Sequence, residues 1–281
     1  MLMALALIAK LLIYIGALVA IGILAHFVLA IRPNLMGLRI AITLMLAGAF
    51  SKLFIANAQL SGQLSGAFNP DTWGWVWLSN GTQFLVFTSG AALGLFASFI
   101  NTINLKKATA LIAILILSIG FSVSGHTQAA DALPLLPLWI VPHTLIAGYW
   151  IWAPVSLWPK DTDTNEIIAL KADRFSRFAI WAVPILFVSG LYLFWRLNGP
   201  FWESGTTLYG RLLLGKLAAA LLLLGLGAYN KFRITDLLQS DPQKGRAALR
   251  LSLRGEAVLF FAVIICVLFA TTVTGPEGHH H

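Results

Sequence analysis

Residues 3–30 read MALALIAKLLIYIGALVAIGILAHFVLA, an apolar run of nearly 30 residues broken by a single charge, Lys10. A bilayer core of roughly 30 Å needs about 20 consecutive apolar residues in a helix, so this run is long enough to span. Inside lipid every backbone N–H and C=O must find its partner within the segment, and a helix does this for an isolated run. The run is too long for the apolar core of a secretory signal, and its basic flank, Arg32, follows it instead of preceding it. It therefore reads as an uncleaved helix that begins outside.

The rest of the chain repeats the pattern. Further spans are expected near 38–60, 81–103, 108–124, 136–158, 175–197, 207–230 and 250–272. The fourth is the weakest, because its apolar run is short and ends at Ser122-Val123-Ser124-Gly125-His126. The composition agrees: 58% of the 281 residues are hydrophobic and 11% are charged, where a soluble domain carries roughly a quarter charged. A transmembrane barrel would show roughly 10-residue segments of alternating polarity, and none recurs. The fold class is thus all-α, a polytopic helical membrane bundle of about eight spans. Helices one to three occupy 1–103, helices four to eight 104–275, and a histidine-containing tail 276–281.

Orientation follows from Lys and Arg, which accumulate in cytoplasmic loops. The connections after spans one, three, five and seven hold Arg32, Arg39, Lys106, Lys107, Lys160, Lys171, Arg174, Arg177, Lys231, Arg233, Lys244, Arg246, Arg250 and Arg254, 14 of the 19 basic residues. The opposite side has Arg196 and Arg211, while Lys10, Lys52 and Lys216 fall within spans. Both termini are therefore expected outside. The net charge of +8 is then a topology signal and not a nucleic-acid footprint.

The outer side carries the chemistry. Gln63 to Asn80 holds Asp71, Trp73, Trp75 and Trp77 with no basic residue; it reads as an interfacial aromatic belt, with a lid over a substrate entrance as the sharper alternative. His126 is expected at the outer end of span four and His143 about 10 Å down span five, with His26 toward the inner end of span one. A neutral imidazole suits copper, and an intramembrane ionisable group is a functional candidate. A buried histidine bonded to a carbonyl is the plain alternative. Tyr209, Arg211 and Lys216 descend from the outer end of span seven; Glu256 is expected to pair with Arg254 or Arg250 at the inner interface. The single cysteine, Cys266, has no partner for a disulfide and reads as packing. His279–His281 are excluded from the core site, since a terminal histidine run is equally the remnant of a purification tag.

Several strings in the second half resemble the CopD/PcoD family, copper resistance protein D, of inner-membrane copper transport proteins. They are Arg174-Phe175-Ser176-Arg177, Ser189-Gly190-Leu191-Tyr192-Leu193, Thr207-Leu208-Tyr209-Gly210-Arg211-Leu212-Leu213-Leu214-Gly215-Lys216-Leu217, Gly227-Ala228-Tyr229-Asn230-Lys231 and Leu251-Ser252-Leu253-Arg254-Gly255-Glu256. The resemblance extends over about 120–272. It implies a copper ion as the metal handled, His126 and His143 as its ligands, and Trp150, Tyr209, Arg211 and Lys216 as supporting residues. It also implies a periplasmic CopC-like copper-binding protein as a partner. Trp150-Ile151-Trp152-Ala153-Pro154 departs from the small residues the family usually has there. The chain has no CopC-like domain and only four Met, so thioether relay steps are scarce.

The reading that follows is a copper resistance and homeostasis protein, not an enzyme, that binds copper on the periplasmic side and moves it across the membrane. Import is favoured, since the expected ligands face outside and no Gly-x4-Gly-Lys-Ser/Thr loop is present to drive export. A haem b electron-transfer protein and a non-transporting copper sensor or scaffold are the alternatives.

Overall fold

The computed structural model describes residues 1–31, 34–123 and 135–274. Its principal helices are α1 (Leu2–Val28), α2 (Leu35–Leu60), α3 (Trp73–Phe99), α4 (Ile103–Ile119), α5 (Leu136–Ile151), α6 (Asn165–Asn198), α7 (Leu208–Tyr229) and α8 (Pro242–Phe269). A further helical turn, Ala153–Ser156, extends α5; a π-helical turn, Asn230–Ile234, carries α7 into Thr235–Ser240; a second one, Ala270–Thr274, extends α8. Among the described residues seven helices are long and apolar enough to cross a membrane by length and composition. The exception is α4, the span expected to be weakest: 17 residues long, it measures about 26 Å and packs beside α1, α3 and α5.

Local chemistry sets the helix starts. Asn34, Thr164, Thr207 and Asp241 cap α2, α6, α7 and α8, each side chain accepting a backbone N–H from three residues on; such caps satisfy donors that the first turn leaves orphaned. The tryptophan segment lies ahead of the span expected near 81–103, yet Trp73, Trp75 and Trp77 form the first turns of α3. Trp75 and Trp77 point outward, as a belt at the interface requires, while Trp73 packs edge-on against Phe54. The short 3₁₀ turns Leu64–Phe68 and Pro70–Thr72 are pinned by the buried Asn57. Its amide donates to Ala67 O at 3.1 Å and Asn69 O at 3.0 Å and accepts from the Thr72 hydroxyl.

The largest core joins α1 to α5 through side chains such as Ile21, Ile42, Met45, Phe87, Leu117 and Tyr149. With no hydrophobic drive between helices in lipid, close backbone approach does the packing. Gly22 and Gly148 show this: a Cβ at Gly22 would sit 2.4 Å from Gly148 O, and one at Gly148 would sit 2.7 Å from Ile21 Cγ2. That contact brings His26 against Tyr149.

Smaller cores hold the second half together. Trp150, Ala153, Leu223 and Phe260 join α5, α7 and α8, and Leu136, Ile140 and Leu193 join α5 to α6. The helix ends around the 157–163 loop are tied by polar contacts. Lys171 pairs with Asp163 at 2.7 Å, Arg246 binds Asn165 and the Asp163 carbonyl, and Arg250 binds Asp161 and the Pro159 carbonyl. Arg174 donates to the carbonyl of Ala30, fastening α1 to α6.

Candidate copper-handling site

His143 sits on α5 facing α6. Its Nδ1 lies 3.2 Å from Leu186 O and 3.1 Å from Ser189 Oγ. Ser189 is fully buried, and its hydroxyl donates to the same Leu186 carbonyl at 2.9 Å. Its proton committed there, the serine oxygen offers the ring a lone pair, so both neighbours of Nδ1 accept. The network assigns the ring proton to Nδ1 and leaves Nε2 as the lone-pair nitrogen. Ligating histidines have this arrangement, the far nitrogen donating to a carbonyl and fixing the ring. The next residue, Gly190, makes room: a Cβ there would lie 3.0 Å from His143 Cε1.

A basic side chain also lies near the ring. Lys216 on α7 is within electrostatic range of the His143 ring and of Cys266 on α8. At 1.5 Å per residue, His143 lies about 10 Å from the start of α5, Lys216 about 12 Å from that of α7, and Ser189 about 13 Å from the end of α6. The cluster therefore occupies one level of the bundle. Lys216 has no carboxylate partner among the described residues. The Cys266 sulfur packs on α7 at Gly215, where a Cβ would lie 3.6 Å from it.

The remaining sequence candidates separate. Trp150 is buried two turns below His143, edge-on to Phe260 at 6.0 Å and against Gly227. Tyr209 is buried in the first turn of α7. Arg211 is exposed and turns back to the loop, its Nε donating to Gly205 O at 2.9 Å. His126 lies outside the described residues, as do His279–His281.

His26 is fully buried. Its Nε2 meets Tyr149 O at 2.9 Å, so it donates there, and its Nδ1 has no partner. The ring lies between Tyr149 and Phe175, with centroids 4.8 and 5.9 Å away. Tyr149 is six residues beyond His143, so His26 stands about 9 Å further along α5. Among the described residues no group of three or more His, Cys, Asp or Glu side chains is arranged to hold a metal ion. The geometry is one of single imidazoles set at successive depths.

Two features escaped the sequence reading. Ser189 and Gly190 were visible only as part of a family string; the register that sets them against His143 comes from the packing of α5 on α6. Glu256 does not pair as expected. Arg250 is engaged by Asp161, and the Arg254 guanidinium lies over the Trp158 ring at 5.5 Å. Asn230 holds the carboxylate instead, at 2.7 Å. The α7–α8 contact faces Glu256 inward, whereas the arginines two and six residues before it look toward the 157–163 loop.

An all-α membrane bundle with an isolated, tautomer-fixed histidine about 10 Å from the start of α5 defines the class. Residues 169–270 match the family model described as copper resistance protein D, CopD, which supports the family assignment made from the Arg174 to Glu256 strings. The match includes Ser189, Gly190, Lys216, Glu256 and Cys266 and begins after His143. No curated protein and no solved structure matches the chain.

Proposed function

We propose that this protein takes up copper on the periplasmic face of the inner membrane and passes it inward through the bundle, both termini lying outside. The observation that carries this reading is the His143 ring, whose Nδ1 proton is fixed by Leu186 O and Ser189 Oγ, leaving Nε2 available as a ligand. Copper is the substrate here. The Lys216 charge beside the ring opposes a resident cation, which suits a point of transit better than a store. His26, with its unpartnered Nδ1, is the next imidazole inward.

The outer supply is a CopC-like periplasmic protein, and import agrees with ligands that face outward. His126 completes the outer ligand set implied by the family. The test is copper stoichiometry on purified protein lacking His279–His281, with the visible spectrum recorded. About one copper per chain, lost in His143→Ala, is expected. A Soret band that vanishes with His143 would instead identify a haem b protein.

A further inference from the structure

We propose that Glu256, Asn230 and Ser252 form a binding site for a hard monovalent cation of the sodium class, between α7 and α8. Glu256 is 3% exposed in a membrane helix, and among the described residues no basic side chain reaches its carboxylate. The neighbouring cations are turned elsewhere: Arg250 to Asp161, Arg254 to Trp158, and Lys231 over the Phe232 ring. An ionisable group kept inside a bilayer without a counter-charge marks a functional position.

The polar groups around it are short of partners. The Asn230 amide spends one N–H on Glu256 Oε1 at 2.7 Å, while its Oδ1 is buried without a partner. Ser252, one turn before Glu256 on the same face of α8, is 6% exposed, and its Oγ is also buried without a partner. Carboxylate, amide oxygen and hydroxyl together offer lone pairs, and two of these three groups, Asn230 Oδ1 and Ser252 Oγ, meet no partner. An orphaned buried acceptor costs roughly 1–3 kcal/mol, so two of them beside a carboxylate call for a shared electrophile.

The donor set selects its class. All the ligands are oxygen, which suits hard cations, whereas Cu(I) favours sulfur and imidazole. One carboxylate balances one positive charge, whereas divalent ions in protein sites draw on more carboxylates. A single proton on Glu256 would satisfy one oxygen and leave the others orphaned. The backbone is also locally specialised: Asn230 opens the π-helical turn Asn230–Ile234, and such wide turns recur at functional sites.

The experiment is equilibrium binding of radioactive ²²Na⁺ to the full chain in nanodiscs, in choline buffer and without copper. One saturable site per chain is expected, displaced by unlabelled Na⁺. It should be lost in Glu256→Gln and weakened roughly tenfold in Ser252→Ala, the loss of one oxygen donor. His143→Ala should bind normally, so the result is separable from the copper reading. Ser252→Ala removes one atom and serves where Glu256→Gln fails to fold. Absence of saturable binding in the parent, or unchanged affinity in a folded Ser252→Ala protein, would overturn the proposal.

Discussion

Replacing Ser189 by alanine isolates what fixes the His143 ring. In the parent, Nδ1–H is shared between Leu186 O at 3.2 Å and Ser189 Oγ at 3.1 Å. The substitution removes the second acceptor and leaves the first, together with the Leu186 carbonyl lone pair that Ser189 had occupied. The ring keeps its tautomer but loses orientation. Partners of this kind are worth roughly 10- to 100-fold in metal affinity. Because one acceptor survives, the lower end is expected, about tenfold, or about 1.4 kcal/mol. The assay is competition for Cu(I) against a calibrated chelator, with thermal stability measured in parallel. Ser118→Ala is the control: Ser118 is equally buried, its Oγ has no partner, and it lies on α4, so copper affinity should not move. Equal affinity in the parent and Ser189→Ala, with the fold intact, would refute the argument that Nδ1 fixes His143 as a ligand.

Lys216→Met should raise copper affinity at the His143 level by about tenfold, a unit charge being removed from beside the ring, and slow release; chelator competition and stopped-flow release check both. Asn57→Leu should cost about 1–3 kcal/mol by freeing Ala67 O and Asn69 O, and should make the 61–72 segment sensitive to protease without changing copper stoichiometry. Gly22→Leu would drive a side chain into Gly148 O, which a Cβ alone already approaches to 2.4 Å. Loss of at least about 1–3 kcal/mol and displacement of His26 from Tyr149 are expected, read by thermal unfolding and the tyrosine fluorescence of the bundle. In a Cys266→Ser background, a cysteine at Gly205 should label from the periplasmic side and one at Ser240 only after permeabilisation.

The bundle itself was legible because lipid imposes a simple rule: long apolar runs become helices, and the spans expected from 3–30 to 250–272 each meet one. Their ends were less so. Interfacial residues that read as loops, such as Trp73 to Trp77 and Glu166 to Arg174, continue as helix, since a helix satisfies its own backbone wherever it leaves the membrane. His143 was singled out by depth and by resemblance, and the structure supplies what depth could not, the partners of each ring nitrogen. Those partners lie 43 and 46 residues away, on a helix whose rotation depends on Gly190 packing. Glu256 illustrates the converse. Proximity in sequence to Arg250 and Arg254 suggested ion pairs, yet helical periodicity turns Glu256 to Asn230 and both arginines to the 157–163 loop.

The most direct test of copper passage is uptake of radioactive copper into proteoliposomes of defined orientation, supplied as Cu(I) on the face that exposes Gly205. Parent protein should accumulate copper in the lumen, and His143→Ala should abolish it while Ser118→Ala does not. Copper that binds with about one ion per chain yet never enters the lumen, or entry that is the same with and without His143, would contradict it.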